Sequence, residues 1–193
     1  MKLIAALSLF LSMTFTSMQA QAKGNNFINF KVNAFPLLIG ANDIEVDLLA
    51  GKWAFGASAY ILSFEEDLGL FGKFGAEATL FGGQVSYFFN NANSDSWMFT
   101  AKGQTGTVDV TTFSTNTLLP ATGSMDVTIA SAEIGYQWMW STFNMQLRAG
   151  MASYMGSEAT VTVTDTAGNV TSETNSYNNG TASSITYTFG LAF

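Results

Sequence analysis

The sequence SITYTFGLAF, residues 184–193, ends the chain. Its large apolar residues alternate with small or hydroxylated ones, and the alternation runs through to Phe193. Chain termini are usually mobile and solvated, so a soluble protein gains little from an apolar terminal strand. A strand that faces lipid on one side needs this alternation over about ten residues, the length that crosses a bilayer at the tilt of a membrane barrel. The stretch therefore predicts a strand with one lipid-facing side.

The same ten residues resemble the C-terminal signal of Gram-negative outer-membrane β-barrels, which typically end in Phe. The resemblance covers the final strand and is carried by Tyr187, Phe189, Leu191 and Phe193. It implies that barrel-assembly machinery recognises this strand during insertion. Predictions for the other segments depend on their own residues and not on this resemblance.

The N-terminus has the features of a secretory signal peptide. Lys2 precedes an apolar stretch, residues 3–15, and the small-x-small pattern Ala-Gln-Ala follows at 20–22. The apolar run is shorter than the roughly 20 residues that a spanning helix needs, which weighs against the alternative of an uncleaved anchor. We therefore predict that residues 1–22 are removed during export through the periplasm, and that the mature chain begins near Lys23.

Composition favours a membrane barrel over a soluble one. The chain is 48% hydrophobic and only 11% charged, whereas charged residues make up about 25–35% of the surface of a typical soluble domain. The polar positions are mostly Gly, Ser, Thr, Asn, Gln and Ala, which suit a narrow interior. Loss of Lys2 leaves 6 basic residues against 14 acidic ones, a net charge of −8. Such a charge argues against nucleic-acid binding, which needs a basic surface.

Eight alternating segments, separated by turn residues, can be marked in the mature chain. An even number of antiparallel strands closes a barrel without a free edge, which hydrocarbon does not tolerate. The predicted fold class is therefore all-β: an eight-stranded antiparallel up-and-down transmembrane β-barrel over residues 23–193. The segments lie near residues 28–34, 44–48, 53–61, 74–89, 97–104, 130–138, 143–151 and 184–193.

The fourth segment has a break in its alternation. Glu77 and Thr79 have one phase of the strand period, and Gln84 and Ser86 have the other. A single extra residue restores the phase, so we predict a bulge at Gly82-Gly83. If these glycines form a turn instead, the number of strands changes.

The aromatic residues indicate where the barrel meets the membrane surface. With a periplasmic N-terminus, short periplasmic turns fall near residues 51–52, 90–95 and 139–142, and all four tryptophans lie beside them. Amphipathic rings prefer the headgroup zone, so the pattern predicts an interfacial girdle. The alternative is that tryptophans flank turns in a soluble core. The predicted girdle residues are Trp53, Trp97, Trp138, Trp140 and Phe193.

Two connections at the opposite end are long, near residues 108–127 and 155–181. Residues 160–164 and 170–172 flank turn residues at 165–169, which is typical of a hairpin. We expect these outer loops to extend as hydrated β-ribbons, because Thr and Val favour strands. The alternative is disorder, which polar low-complexity sequence also favours.

The inward face of the predicted strands carries a group of charged residues. Eight strands leave an interior that side chains just fill, so these charges are expected to pair with one another. Paired, they form a plug that fixes the register, and the alternative is a narrow ion path whose pairs exchange partners. The predicted ion cluster contains Lys31, Glu45, Asp47, Glu77, Lys102, Glu133 and Arg148.

The overall plan resembles the family of small eight-stranded outer-membrane barrels, similar to the OmpX type and to the membrane domain of the OmpA type. The resemblance implies a monomer in the bacterial outer membrane, with outer-membrane lipid and lipopolysaccharide as its surroundings. It also suggests an extracellular protein or surface ligand as a partner at the cell surface. The charged interior resembles that of OmpA-type barrels.

The chain contains no histidine. Outer-membrane enzymes of similar architecture, which modify lipid A or cleave proteins, depend on His for proton transfer near neutral pH. We therefore predict a non-enzymatic protein with no cofactor and no metal site. The leading hypothesis is a plugged membrane anchor for surface interaction. The alternatives are a small porin-like pore for ions or minor solutes, a lipid-modifying enzyme, and a soluble barrel of lipocalin type.

Overall fold

The structure is a computed structural model that describes residues 26–67, 73–113, 120–157, 159–164, 169–175 and 179–193. The predicted signal peptide, residues 1–22, lies outside the described residues. None of the described residues forms a helix that is long and apolar enough to cross a membrane. The described elements are β1 (Ile28–Asn33), α1 (Ala34–Leu37), β2 (Asn42–Ala50), β3 (Trp53–Asp67), β4 (Lys73–Phe88), β5 (Ser96–Phe113), β6 (Pro120–Trp140), β7 (Phe143–Gly156), β8 (Ala159–Thr164), β9 (Val170–Asn175) and β10 (Gly180–Ala192).

Eight of these strands form a closed antiparallel barrel, which confirms that part of the predicted fold. Strands β1 to β6 each pair with the next one along the chain, β7 pairs with β10, and β1 pairs with β10 to close the ring. At the junction the backbone N–H of Phe193 donates to the carbonyl of Ile28 (2.8 Å). The last residue of the chain therefore takes part in closing the barrel.

The barrel has an apolar outer face and a polar interior. Phe99 and Leu147 are exposed on the outside. Lys31 and Gln146 are completely buried inside. Large apolar side chains normally occupy the core of a water-soluble domain. In this barrel the arrangement is the reverse, with large apolar side chains outside and polar ones inside.

On five strands, the outward apolar segment is nine to eleven residues long and is followed, on the side of the long connections, by a hydroxylated residue at the next outward position. We call these segments the belt: Trp53–Ile61, Phe81–Phe89, Ala130–Trp140, Phe143–Met151 and Ile185–Phe193. The outward residues that follow them are, in the same order, Ser63, Thr79, Thr128, Ser153 and Ser183. The belt therefore ends at the same kind of residue on each of these strands.

Beyond the belt, the polarity of the two faces is exchanged. On β4, Glu77 and Thr79 are exposed on the outside, whereas Ala78 and Leu80 are buried on the inside. On β5, Asp109 is exposed and its neighbours Val108 and Val110 are half-buried on the inner side. These outer ends thus have the apolar-inside pattern of a water-exposed sheet.

The predicted bulge at Gly82-Gly83 is wrong. The ladder between β3 and β4 is continuous, with Gly82 opposite Ser58 and Gly83 opposite Ala57. The alternation breaks at this point because the apolar side chains change from the outer face to the inner face, while the backbone register stays continuous. For the same reason Glu77, predicted inside, lies outside, where it accepts a hydrogen bond from the Ser63 hydroxyl (3.4 Å).

The outer ends of β3 to β6 continue past the belt and, together with β8 and β9, form what we call the projecting sheet. Strands β5 and β6 stay paired as far as Phe113 and Pro120. Strand β8 pairs with β6 through residues 160–163, and β9 pairs with β8. The described parts of the segments expected as outer loops are therefore mostly strand, and residues 160–164 and 170–172 pair as their sequence indicates.

Candidate functional site

The interior of the barrel contains an ion cluster centred on Glu45 of β2. The Glu45 carboxylate contacts Nζ of Lys31 (2.7 Å), Nζ of Lys102 (3.1 Å) and an Nη atom of Arg148 (2.9 Å). The three cations come from β1, β5 and β7. One carboxylate thus connects strands on opposite sides of the barrel.

Each of the three cations also has a second carboxylate. Lys31 contacts Asp47 at 2.7 Å and Lys102 contacts Asp43 at 3.0 Å. Nε of Arg148 lies 3.4 Å from Glu133. The cluster is therefore a star, with Glu45 at its centre and three cation–carboxylate arms. Removing one partner of a buried ion pair is costly, because it leaves an uncompensated charge in the interior.

Amides and small residues complete the packing around the star. Nε2 of Gln84 donates to Glu45 (3.1 Å) and to Asp47 (2.6 Å). The Thr186 hydroxyl donates to Glu133 (2.9 Å). Gly56 leaves room for Asp47, because a Cβ atom at position 56 would collide with the Asp47 carboxylate. These side chains are buried inside the barrel at the level of the star.

Six of the seven residues predicted for the ion cluster lie in the star, and Glu77 lies outside the barrel. Sequence reasoning missed Asp43, which is buried and pairs with Lys102. Asp43 has the same parity as Glu45 and Asp47, so extending the second segment by one residue at its start would have identified it. The prediction began that segment at Ile44, whereas β2 begins at Asn42.

A second group of buried side chains lies inside the barrel at the end where the connections are short. There the turn between β4 and β5 folds into the mouth, and Ala92 is buried. Its N–H donates to the Gly51 carbonyl (2.8 Å), and its carbonyl accepts from Nε2 of Gln137 (2.8 Å). We call the apolar cluster at this level the end plug: Leu49, Ala54, Phe88, Ala92, Met98 and Ala192, with Met139 packed against it. Turn composition gave no signal for it.

The five predicted girdle residues lie at this same end. Trp53, Trp97 and Phe193 are exposed on the outer face. The Trp53 ring packs on Tyr87 at 4.9 Å, and Trp138 packs on Tyr136 at 5.0 Å. The remaining member, Trp140, stacks on Phe143 at 5.6 Å. Aromatic contacts therefore follow the outside of the barrel at the short-turn end.

The four residues that carry the resemblance of the terminal strand all belong to its outward face. Leu191 and Phe193 are exposed, and Tyr187 and Phe189 are half-buried against each other, with ring centres 4.7 Å apart. Inward neighbours such as Thr186 and Thr188 are buried. The strand therefore has the two faces that its alternation predicts.

The projecting sheet has an edge at β9. Within the described residues, β9 pairs with β8 on one side, and its other side forms no ladder. Val170, Thr171 and Ser172 of this strand are exposed. An unpaired strand edge presents backbone donors and acceptors that another extended segment can bind.

Comparisons with known proteins do not identify the chain: no family model, curated protein or solved structure matches it. Within the part of the chain that the structure describes, no group of three His, Cys, Asp or Glu side chains is arranged to hold a metal ion.

Proposed function

We propose that this protein is a non-enzymatic barrel of the bacterial outer membrane, plugged along its axis, that anchors the projecting sheet at the cell surface. The observation that carries the proposal is the length of the belt. A transmembrane β-strand needs about 9–11 residues when it is tilted in the bilayer. The belt supplies nine on four strands and eleven on β6.

The exchange of polarity beyond the belt supports the same proposal. Exposed apolar surface is unfavourable in water, at about 25 cal/mol per Å², so an apolar outer face requires lipid around it. Glu77 and Asp109, directly opposite each other on the outer face of β4 and β5, require water. The hydroxyl positions at the end of the belt mark where the lipid would give way to water.

The ion star and the end plug support an anchor more than a pore. A conducting path would have to pass both the Glu45 star and the buried side chains of Phe88 and Met98. Eight strands enclose only enough space for side chains to fill. In this proposal the interior therefore holds the barrel together and does not carry solutes.

The projecting sheet is the part that would meet partners. Its β9 edge suits strand addition, in which an extended segment of an extracellular protein pairs along the edge. Outer-membrane lipid and lipopolysaccharide would surround the belt, and barrel-assembly machinery would insert the chain through its terminal strand. The proposed assembly state is a monomer.

Two measurements test the proposal. Unheated protein from the outer-membrane fraction is expected to migrate differently in electrophoresis from a boiled sample, because a folded barrel resists the detergent. Purified protein in planar bilayers is expected to give no discrete conductance steps. Recovery in a detergent-free soluble fraction would overturn the membrane assignment, and regular conductance steps would favour the pore.

A further inference from the structure

The connection between β1 and β2 contains no polar side chain. We call it the apolar turn: residues 34–41, with the sequence AFPLLIGA, which include the short helix α1. Its Leu38 and Ile39 side chains are 66% and 63% exposed, as much as Ile185 of the belt at 61%, and Phe35 is exposed too. Large apolar side chains are unfavourable in water. The turn therefore has the surface character of the belt, although it is a connection at the outer end of the barrel.

The apolar turn lies beside the outer end of the belt on β10. Strand β1 ends at Asn33, opposite Thr188, whereas the belt on β10 continues past this level to Tyr187 and Ile185. The Phe35 ring packs on the Tyr187 ring, with ring centres 6.4 Å apart. The turn thus contacts the outward face of β10 where β1 no longer covers its side.

The other end of the turn is at the same level of the belt. Asn42, the first residue of β2, is directly opposite Ile61 of β3. Ile61 is the last belt residue on β3. The apolar turn therefore lies between the outer ends of the belt on β10 and β3, and it occupies the sector in which β1 is too short to reach that level.

The backbone of the turn is bonded within the turn itself. The N–H groups of residues 38–41 donate to the carbonyls of residues 35–37 at 2.9–3.3 Å. The Phe35 N–H donates to Oδ1 of Asn33 (3.3 Å), and Pro36 has no N–H. Hydrocarbon contains no water to bond exposed backbone groups, so these groups must be satisfied within the protein. The apolar turn meets this condition as well as having apolar side chains.

We propose that the apolar turn is inserted into the hydrocarbon of the outer leaflet, where lipid acyl chains cover Phe35, Leu38 and Ile39. The turn continues the belt across the sector in which β1 is short. On this side the barrel ends inside the leaflet, whereas on the side of β4 and β5 it projects into water. The inference rests on the proposed function and extends it, because it places one connection of the outer end in lipid.

Site-directed spin labelling tests the proposal, because the chain contains no cysteine and each introduced label reports a single position. The protein is folded into phospholipid vesicles with a nitroxide at Leu38→Cys or Ile39→Cys, and its mobility shift in electrophoresis confirms the folded barrel. Collisions of the label with oxygen, which concentrates in hydrocarbon, and with a water-soluble nickel chelate are then measured. The ratio of oxygen to nickel accessibility at both positions is expected to be several-fold higher than at Thr107→Cys on the outer face of the projecting sheet.

Leu147→Cys in the belt is the matched control, and it separates the inference from the proposed function. A high ratio at Leu147→Cys, with a ratio at either turn position equal to that of Thr107→Cys, would overturn the inference alone. A ratio at Leu147→Cys equal to that of Thr107→Cys would overturn the membrane assignment and the inference with it. Turn labels that are shielded from both reagents and broadened by a neighbouring label would also overturn the inference, because a second copy of the chain would then cover the turn.

Discussion

The belt and the projecting sheet are built from the same strands, yet their faces have opposite polarity. On β4, Phe81 and Val85 face outward in the belt, whereas Ala78 and Leu80 face inward only a few residues earlier. The backbone ladder runs through both regions without interruption. The phase of hydrophobic alternation can therefore change along a strand while the register of the ladder stays the same.

The largest difference in stability between the two regions is expected for substitutions of Glu45 and Glu77, which the sequence predicted to lie in the same ion cluster. Glu45→Gln removes the centre of the star and leaves three buried cations short of a partner, at a cost of about 3–5 kcal/mol in the free energy of unfolding. Glu77→Gln, on the outer face of the projecting sheet, is expected to leave stability nearly unchanged. Urea unfolding in lipid vesicles measures both. Equal effects would show that Glu45 is not the centre of a buried network.

The next largest difference in stability is expected when an arginine is introduced on the outer face of each region. Leu147→Arg places a charge in the belt, where an arginine costs about 2–4 kcal/mol at the middle of a bilayer. Thr107→Arg places the same side chain on the outer face of the projecting sheet, where water solvates it. The measurement is the free energy of unfolding of each variant in vesicles. A similar loss in both variants would contradict a lipid-covered belt.

Truncation of a leucine is expected to have a smaller effect on the free energy of unfolding, and here the larger loss is expected in the projecting sheet and the smaller one in the belt. Leu80 is 3% exposed on the inner side of β4, so Leu80→Ala leaves a cavity and costs about 2 kcal/mol or more. Leu147→Ala faces lipid, which can fill the space, and should cost less. The same unfolding assay ranks the two variants. The reverse ranking would place Leu147, and not Leu80, in a packed core.

The smallest effect should come from the hydroxyl positions at the end of the belt. Ser183→Leu extends the apolar segment of β10 by one outward position, and a change within about 0.5 kcal/mol is expected. Its sign should depend on hydrocarbon thickness, since thicker bilayers cover a longer apolar segment. Unfolding in vesicles of short and long acyl chains measures this. Equal values in both would mean that Ser183 lies away from the lipid boundary.

Most of the barrel could be predicted because alternation with a period of two is a local property of the chain. The predicted segments correspond to the eight barrel strands, and Lys31, Lys102 and Arg148 lie on the inward face as expected. Each of these predictions needs only the residues of one strand. The strands β3, β5 and β6 were predicted too short at their outer ends, because alternation was followed only while apolar residues stayed on the same face.

The errors occur where one strand passes between two environments. The sequence of β4 is consistent with a bulged strand that keeps one apolar face. It is equally consistent with a straight strand whose apolar face changes sides, and the prediction of a bulge was wrong. The end plug was missed for a related reason. Ala92 lies in a turn of Asn, Ser and Asp, and its burial depends on Gly51 and Gln137, which are distant in the chain.

Local alternation was enough to predict the number of barrel strands, the face that each presents outward in the belt, and the charged character of the interior, because side chains alternate with a fixed period along an extended backbone. Which charges meet depends on the closed barrel, since Glu45 contacts cations from β1, β5 and β7, and of these only β1 is next to β2 in the chain. The position at which the polarity reverses also follows from the folded barrel, because it depends on how far each strand extends past its neighbours.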